Sequence, residues 1–581
     1  MRCKYILGIL LVSIFILFMF LLFVGSNNRV QETHIDISNL SMHFINRQDL
    51  DALANQSSIE VHNQIEMEIF ENYTFKATNV IRLKNFGEKN IAVVPVLYSP
   101  AIRFTSITIE NAKLLNASIL LIYGEDENIL LLKIKIPKNK RALIQFEYAG
   151  DISTLLGGQT LIGSLFAKYK SPDEIEMPPE VLLPEILNEI SETEIILDLP
   201  HSWGNWTGII LNLDNSKILE PTDQNNGKLI FTSKGFLVPF IILGDFNIMS
   251  YKVENVDMKM YFPRCIYKEV SSRYRNIVSD IIRTFSSWYI PYPYRNLTII
   301  FSSNIMRMSG INRNGSGIIL ITANATPSLL AHEISHSWFG GYAGFGTIDE
   351  SLATYSEMSY MIRFYNKHPE ELEKYARYNL TTIQKVLNFV EQRVLKYNND
   401  YPKPLSQVYR AWISNSTIRN AIMYNKGAFV FRSLQFVLGN ETFFEGLREL
   451  LWECHNKECN LTDVQNVFEK VSGQNLDWFF REWFYTAKVP DYEVENLSLE
   501  KKDGKYLLTF EIIDKNNFTM PLEVKVKTLT ESFIKKIRVN GTARVEFKLD
   551  EKPTKIILDP NEWMANNNKE EKIREIGILV N

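Results

Sequence analysis

His332 and His336 stand four residues apart and form, with Glu333, a His-Glu-x-x-His motif. On an α-helix such residues share one face, so both imidazoles can bind the same metal ion. Zinc suits imidazole nitrogens and accepts the geometry that the helix dictates. Glu333 follows one step round the helix, where its carboxylate can take a proton from a zinc-bound water. The motif predicts zinc-dependent hydrolysis, and a helix with two structural histidines is the alternative.

A catalytic zinc site needs three protein ligands and one open position, so the sequence should supply a further carboxylate. Glu350 is the best candidate and is separated from His336 by thirteen residues. Four glycines in this connection allow the chain to reverse and bring a second helix antiparallel to the first. Thr347 and Glu350 also fit the Thr-x-x-Glu pattern of a capping box. Spacing alone leaves both roles open for Glu350.

The elements around the motif can be read from periodicity and from Pro and Gly. Residues 270–288 are apolar at helical spacing, and strands are predicted at 297–302 and 317–322. Thr326 can cap the motif helix, Pro327 fits its first position, and Gly340-Gly341 can end it. Further helical patterns reach Tyr360 and recur at residues 386–395, 418–438, 443–454 and 476–485.

The first residues favour a membrane anchor. Tyr5 to Val24 contains twenty residues without a charge, preceded by Arg2 and Lys4. As a helix this run is about 30 Å long, enough to cross a bilayer core. A cleaved signal peptide is the alternative, although no Ala-x-Ala-like site follows the run. The basic N-terminus predicts a single-pass protein of the cell membrane, with its N-terminus cytoplasmic and its body extracytoplasmic.

Asn-x-Ser/Thr sequons and cysteines agree with an extracytoplasmic body. About fifteen sequons occur, and they predict a glycoprotein unless an Asn-rich composition generates them by accident. Examples are Asn72, Asn116, Asn205, Asn379, Asn460 and Asn540. Cys454 and Cys459 could close a short disulfide loop in an oxidising compartment. The net charge of −4 gives no indication of a nucleic-acid partner.

Alternating patterns predict two β regions flanking the helical one. Leu132, Ile134 and Ile136 alternate with lysines, and Leu522, Val524 and Val526 alternate with charged residues. The predicted fold class is multidomain α+β, with an N-terminal antiparallel β domain, a mainly helical catalytic domain and a C-terminal β-sandwich. The predicted boundaries are an anchor at 1–25, a linker at 26–55, the β domain at 56–250, the catalytic domain at 251–488, the sandwich at 489–565 and a tail at 566–581.

Two segments, His332–Gly340 and Asp349–Glu357, together resemble the paired signature of the aminopeptidase N family of gluzincin zinc peptidases. In that family the second segment reads Asn-Glu-Gly-Phe-Ala-Ser/Thr-Tyr-x-Glu, and its first Glu is the third zinc ligand. The resemblance therefore implies one zinc ion held by His332, His336 and Glu350, in a thermolysin-like domain. The family usually has about eighteen residues between the second His and this Glu, so about five are missing here.

The resemblance continues on both sides of the motif. Met423–Ala428 is similar to the family's Tyr-x-Lys-Gly-Ala segment, whose Tyr hydrogen-bonds the tetrahedral intermediate. It implies this role for Tyr424, which taken alone is an ordinary aromatic on a buried helix. Pro291-Tyr292-Pro293 and the run from Trp478 to Tyr492 also resemble family segments. Thr354 and Glu357 are candidates to support the ligands, with a solvated helix face as the alternative for Glu357.

One departure concerns the amino terminus of the substrate. The family's Gly-x-Met-Glu-Asn strand uses its Glu to bind the free α-amine, and the segment Gly310–Asn314 has Arg313 at that position. A cation cannot anchor an ammonium group. The expected protein is therefore a membrane-anchored zinc metallopeptidase acting on peptides, with altered recognition of the amino terminus. A noncatalytic, membrane-tethered binding module on a peptidase scaffold is the alternative, and hydrolysis of a non-peptide substrate is a third possibility.

Overall fold

The computed structural model describes residues 32–45, 59–72, 74–98, 102–122, 128–151, 162–163, 174–177, 185–186, 190–204, 206–212, 217–225, 227–234, 239–302, 310–312, 317–371, 383–400, 402–407, 416–567 and 573–575. The chain divides into two compact units, Met1–Asp245 and Phe246–Asn581. The predicted anchor at residues 1–25 lies outside the described residues. Among the residues that are described, no helix combines the length and the apolar composition needed to cross a bilayer.

The first unit is β-rich, as predicted. Its strands are β1 (Glu32–His34), β2 (Ser41–Ile45), β3 (Ile59–Ile69), β4 (Thr74–Asn85), β5 (Ile91–Tyr98), β6 (Arg103–Glu110), β7 (Lys113–Ile122), β8 (Asn128–Lys135), β9 (Arg141–Asp151), β10 (Ile162–Gly163), β11 (Glu174–Met177), β12 (Glu185–Ile186), β13 (Ile190–Asp198), β14 (Thr207–Asn212), β15 (Lys217–Leu219), β16 (Asp223–Asn225), β17 (Lys228–Lys234) and β18 (Pro239–Gly244). Short 3₁₀ turns occur at Ile37–Asn39 and His201–Trp203.

These strands form three sheets around one apolar core. The sheet orders are β1-β6-β9-β4-β3-β13-β17-β16, β10-β11-β18-β14-β15 and β12-β5-β8-β7-β2. Leu132, Ile134 and Ile136 are fully buried in this core while the intervening lysines are exposed, which confirms the predicted alternation. Residues 32–45 fall within the stretch predicted as a linker, and they contribute β1 and β2 to two of the sheets.

Most strand pairs of this unit are antiparallel, as predicted for the N-terminal β domain, but two pairs are parallel. β13 runs parallel to β3, with Ile195 opposite Ile65, and β2 runs parallel to β7. A tight hairpin forces neighbouring strands to be antiparallel, but strands far apart in the chain are under no such constraint. Long connections separate both of these pairs, so local patterns could not fix their direction.

The second unit begins with strands, where helix was predicted from about residue 250. β19 (Phe246–Val253) and β20 (Val256–Pro263) form a hairpin, and β21 (Asn296–Ser302), β22 (Gly310–Asn312) and β23 (Ile318–Thr322) complete a sheet in the order β19-β20-β21-β23-β22. The missed signal is the alternation of Val256, Met258 and Met260, which are buried, with polar residues. Within the described residues, the region predicted as the catalytic domain therefore combines helices with a five-stranded sheet.

Helices make up most of the rest of this region. They are α1 (Arg264–Trp288), α2 (Pro327–Ser335), α3 (Asp349–Lys367), α4 (Ile383–Asp400), α5 (Ser416–Arg419), α6 (Gly427–Leu438), α7 (Asn440–Glu453), α8 (Leu461–Ser472) and α9 (Asp477–Trp483). 3₁₀ turns lie at Gly346–Ile348 and Leu405–Gln407, and a π-helical turn, Asn420–Lys426, joins α5 to α6. α1 buries Val278, Ile281, Ile282 and Phe285 completely, in agreement with its predicted periodicity.

Strands return at the C-terminal end, as predicted. They are β24 (Tyr492–Lys502), β25 (Lys505–Asp514), β26 (Thr519–Lys527), β27 (Ser532–Asn540), β28 (Thr542–Leu549), β29 (Lys555–Leu558) and β30 (Ile573–Glu575), in the order β24-β25-β28-β27-β26-β29-β30. Leu522, Val524 and Val526 are fully buried, which confirms the predicted face of β26. β27 and β28 pair only at Asn540 and Thr542. β30 lies within the stretch predicted as a tail.

Candidate metal centre

The motif helix α2 begins as the sequence predicts. Thr326 Oγ1 accepts a hydrogen bond from the Leu329 amide at 3.1 Å, and Pro327 occupies the first helical position. His332 lies in the last turn, and His336 follows the last helical residue with helical backbone angles of φ −61° and ψ −13°. The two imidazoles therefore keep the one-turn spacing, with ring centroids 5.0 Å apart.

The predicted end of this helix at Gly340-Gly341 was wrong, because α2 ends at Ser335. The amide of Trp338 donates to the Ser335 carbonyl at 2.9 Å, a bond of the shorter 3₁₀ type that tightens the chain into a turn. The Trp338 indole is fully buried and donates from Nε1 to the Ile290 carbonyl at 2.9 Å. This contact with the segment after α1 draws the chain out of the helix.

Glu350 is the second residue of α3 and lies close to both histidines. Its Oε2 atom is 3.3 Å from Nε2 of His332 and 3.3 Å from Nε2 of His336. Ile348 precedes the helix without any side-chain cap, so the alternative capping box of Thr347 and Glu350 does not form. One nitrogen or oxygen atom of each of the three residues lies within 4.8 Å of the others.

Contacts at the far side of each imidazole explain why both Nε2 atoms face Glu350. Nδ1 of His336 lies 3.0 Å from the carbonyl oxygen of Phe339, and Nδ1 of His332 lies 3.2 Å from Oε2 of Glu357. A proton held on Nδ1 by an oxygen acceptor leaves Nε2 with its lone pair available for a metal. Glu357 is thus turned towards His332, whereas the hydroxyl of Thr354 donates to the backbone carbonyl of Glu350 at 2.7 Å.

The donor set fits zinc. Two imidazole nitrogens and one carboxylate oxygen are the ligands of a known class of catalytic zinc site. Zinc-ligand bonds of about 2.0–2.1 Å in a tetrahedron separate neighbouring ligand atoms by about 3.3 Å. The two separations between Glu350 Oε2 and the histidine nitrogens have this value. Two of the three separations between candidate ligand atoms therefore match those of a tetrahedral zinc site.

Negative charge dominates the site. Burial disfavours the cation of His332, but the Glu350 and Glu357 carboxylates outweigh that cost and raise its pKa well above the ordinary value. Burial also opposes ionisation of Glu350, yet the imidazoles of His332 and His336 beside its carboxylate hold its pKa below the usual range. Burial raises the pKa of Glu333, which is only 4% exposed. Three carboxylates around two imidazoles favour a bound cation.

The connection between His336 and Glu350 is short, and the disulfide loop supports it. Cys454 and Cys459 form the predicted disulfide. The amide of Cys459 donates to the Gly344 carbonyl at 2.8 Å, and the amide of Gly344 donates to the Lys457 carbonyl at 3.3 Å. Gly340, at φ +94°, makes the turn that a residue with a Cβ would resist. Sequence reasoning predicted the disulfide but missed its role beside the site.

Tyr424 lies beside His332 on the π-helical turn. The two rings are stacked, with centroids 5.8 Å apart and planes inclined by 12°. The sequence predicted one continuous helix over residues 418–438, and the structure instead has α5, the π-helical turn and α6. Tyr424 is half-buried at this turn, and its ring lies near His332.

A cavity of about 830 Å³ opens beside Glu350. Its walls come from residues 345–350, Met423 of the π-helical turn, residues 458–462 and Tyr485. Space of this size beside Glu350 is enough for a peptide segment. Arg313 and Asn314, which bear on recognition of a substrate's amino terminus, lie outside the described residues.

Lys426, at the end of the π-helical turn, gives a pH-dependent prediction. Its Nζ atom is buried and donates to Asn398 Oδ1 at 2.8 Å and to the Ala487 carbonyl at 2.9 Å. Burial lowers its pKa to about 7. Between this value and the ordinary Lys pKa the unfolded chain binds more protons, so the free energy of unfolding should rise with pH by about 1 kcal/mol per pH unit. Denaturant unfolding from about pH 7 to about pH 9 should show this rise.

Lys426→Met is the control for that prediction, because Met cannot titrate. The rise between these pH values should be smaller in the variant by the contribution of one lysine. An identical pH dependence in both proteins would mean that Lys426 stays charged in the folded state.

A comparison with protein families identifies the region that carries this site. Residues 276–483 match the model described as the peptidase family M1 domain. This part of the chain is similar to M1 peptidase domains. The matched stretch contains both histidines, Glu333, Glu350 and Tyr424. The predicted resemblance to the aminopeptidase N-like family is confirmed.

Several curated proteins are similar to this chain at low identity. Tricorn protease-interacting factor F2 of Thermoplasma acidophilum is 22% identical over 328 residues, which cover 53% of this chain and 39% of that protein. Aminopeptidase M1-A of Oryza sativa subsp. japonica is 26% identical over 236 residues, covering 37% and 25%. Aminopeptidase 2 of Candida albicans is 20% identical over 346 residues, covering 55% and 36%. The chain thus spans less than two fifths of the length of these relatives.

Proposed function

We propose that this protein is a zinc-dependent metallopeptidase that hydrolyses peptide bonds. The observation that carries the proposal is the convergence of His332, His336 and Glu350, whose donor atoms lie within 4.8 Å of one another. The M1 domain and the two relatives that are named as aminopeptidases support it. A zinc ion held by these three residues would polarise the scissile carbonyl and make water a stronger nucleophile at neutral pH.

Glu333 is proposed as the general base and then the general acid. It takes a proton from the attacking water and delivers it to the nitrogen of the leaving amine as the peptide C–N bond breaks. Burial raises its pKa, which makes its carboxylate a stronger base than an exposed glutamate. Tyr424 donates a hydrogen bond from its hydroxyl to the carbonyl oxygen as negative charge develops there.

Digestion of a peptide library by the purified protein tests this function. Cleavage should occur, should stop after treatment with a zinc chelator, and should return when zinc is added. A zinc-loaded protein that cleaves no peptide in the library would contradict the proposal.

Glu357 is expected to tune the affinity for zinc. Its carboxylate lies 3.2 Å from Nδ1 of His332 and orients that ring. Loss of such a partner typically weakens metal binding by about 10–100-fold. The Glu357→Gln variant should therefore bind zinc less tightly and lose it to a weaker chelator. Competition with a fluorescent zinc indicator can measure this affinity. An unchanged zinc affinity would assign Glu357 to the solvated face of α3.

We further propose altered recognition of the substrate's amino terminus. Arg313 stands where the aminopeptidase N-like motif has the amine-binding Glu, and a cation repels an ammonium group. Matched peptides with a free or an acetylated amino terminus separate the possibilities. Cleavage of both peptides at similar kcat/KM is expected, and strict dependence on the free amine would contradict this part of the proposal.

The finer features of architecture and location are also proposals. The helical region around β19–β23 is proposed to be thermolysin-like, and the seven C-terminal strands to form a β-sandwich. The single residue pair that joins β27 to β28 supports a sheet that folds over into two layers. The uncharged run from Tyr5 to Val24 supports a membrane anchor with an extracytoplasmic body.

Glycosylation is proposed for the same compartment. The side chains of Asn72, Asn116 and Asn540 begin sequons and are exposed. Asn205 and Asn379 lie outside the described residues.

A further inference from the structure

The π-helical turn Asn420–Lys426 presents Tyr424 to the histidines, and its geometry requires support. A π-helical turn is rare because its hydrogen bonding is less favourable than that of an α-helix, and such turns are found mainly at functional sites. At the junction with α6 the bonding pattern changes, which leaves backbone carbonyls in need of other donors. Ser351 of α3 supplies one such donor, and Lys426 of the turn donates outward to neighbouring elements.

Ser351 of α3 provides the first contact. Its hydroxyl donates to the carbonyl oxygen of Met423 at 2.6 Å, and both residues are buried, with exposures of 0% and 2%. Met423 immediately precedes Tyr424, while Ser351 immediately follows Glu350. A single hydrogen bond therefore joins the backbone beside the proposed acid ligand to the backbone beside the proposed oxyanion donor.

Gly427 allows α3 to approach this closely. A Cβ atom added at Gly427 would lie 2.0 Å from Oγ and 2.5 Å from Cβ of Ser351, far inside van der Waals contact. The fit between Ser351 and Gly427 thus depends on the absence of a side chain at residue 427. Lys426 fixes the other side of the turn through Asn398 and the Ala487 carbonyl.

We propose that Ser351 is a positioning residue for Tyr424. Its hydroxyl holds the Met423 carbonyl, and packing on Gly427 fixes the π-helical turn so that the Tyr424 hydroxyl points at the reacting carbonyl. This inference rests on the proposed function, because it takes Tyr424 as the hydrogen-bond donor. Beyond that function, it assigns to Ser351 of α3 the positioning of the Tyr424 hydroxyl.

Ser351→Ala tests the contact. Loss of one buried hydrogen bond that orients a catalytic group should lower kcat by about tenfold. KM, zinc content and the thermal unfolding midpoint should stay close to those of the wild type. Ser433→Ala is the matched control, since the buried Ser433 hydroxyl also contacts a backbone carbonyl, that of Trp563, at 3.3 Å. The control should keep the wild-type kcat, and an unchanged kcat in Ser351→Ala would overturn the proposal.

A double-mutant cycle with Tyr424→Phe separates this inference from the proposed function. If Ser351 acts through the Tyr424 hydroxyl, Ser351→Ala should have no further effect on kcat once that hydroxyl is absent. Equal losses in both backgrounds would overturn the positioning role while the zinc peptidase proposal stands. A wild-type kcat in Tyr424→Phe would remove Tyr424 from the mechanism and overturn the positioning role with it.

Gly427→Ala tests the same contact from the other side. The added methyl group must displace Ser351 or the turn, so kcat should fall by more than tenfold. Adding Ser351→Gly removes Oγ and Cβ of residue 351, the two atoms closest to the new Cβ of residue 427. The distance from this Cβ to Cα of residue 351 is 3.3 Å. The double variant should recover the kcat of Ser351→Gly alone. A wild-type kcat in Gly427→Ala would contradict the proposal.

Discussion

Glu333→Gln is expected to lower kcat for peptide hydrolysis by about 1,000-fold, while the protein keeps its bound zinc. Gln has the size and shape of Glu but cannot take a proton from the attacking water. Glu333 is 4% exposed on α2 next to His332, so solvent cannot easily replace it as the base. Steady-state kinetics and zinc analysis of the same preparation measure both quantities.

The control for this variant is the same substitution at an exposed site. Glu453→Gln removes a carboxylate that pairs with Lys470 on the surface, where such a pair contributes little to stability. It should keep wild-type hydrolysis and zinc content. Unchanged hydrolysis in Glu333→Gln would falsify the role of Glu333 as the base.

Glu350→Ala is expected to weaken zinc binding by more than 100-fold and to abolish hydrolysis at ordinary zinc concentrations. The substitution leaves two protein ligands, His332 and His336, where catalytic zinc sites use three. Removal of a direct ligand should exceed the roughly 10–100-fold effect of losing a partner of a ligand. Competition with a chelator of known affinity measures the loss.

Thermal unfolding provides an independent readout for Glu350→Ala. A ligand that binds the folded protein raises its unfolding midpoint, so added zinc should stabilise the wild type and leave the variant nearly unchanged. Equal stabilisation of both proteins by zinc would mean that Glu350 is not a ligand.

The sequence predicts local features of the site well because they depend on neighbouring residues. Thr326 and Pro327 define the start of α2 through capping and a fixed φ angle. The four-residue spacing of His332 and His336 survives although the helix ends at Ser335. His336 follows the helix but keeps helical backbone angles, so its side chain lies where a continuing helix would place it.

Distant contacts decide the features that sequence reasoning missed. The end of α2 depends on Trp338, whose indole bonds to the Ile290 carbonyl 48 residues earlier. The π-helical turn depends on Ser351, which is 72 residues from Met423. Neither contact leaves a periodic pattern in the local sequence.

One missed helix did carry a local signal. α8 begins with a capping box in which the Asn460 side chain accepts from the Asp463 amide and Asp463 accepts from the Asn460 amide. Gly473 ends the helix in the left-handed conformation, at φ +65°. The Asn-x-x-Asp spacing of Asn460 and Asp463 and the following Gly473 are therefore a local signal for this helix, beside the sequon that Asn460 begins.

A zinc titration of metal-free wild-type protein tests the central claim most directly. The initial rate of peptide hydrolysis should be negligible without metal, rise in proportion to added zinc, and reach a plateau at one equivalent per chain. A protein that shows no hydrolysis at saturating zinc, or full hydrolysis with none, would contradict the assignment of a catalytic zinc site to His332, His336 and Glu350.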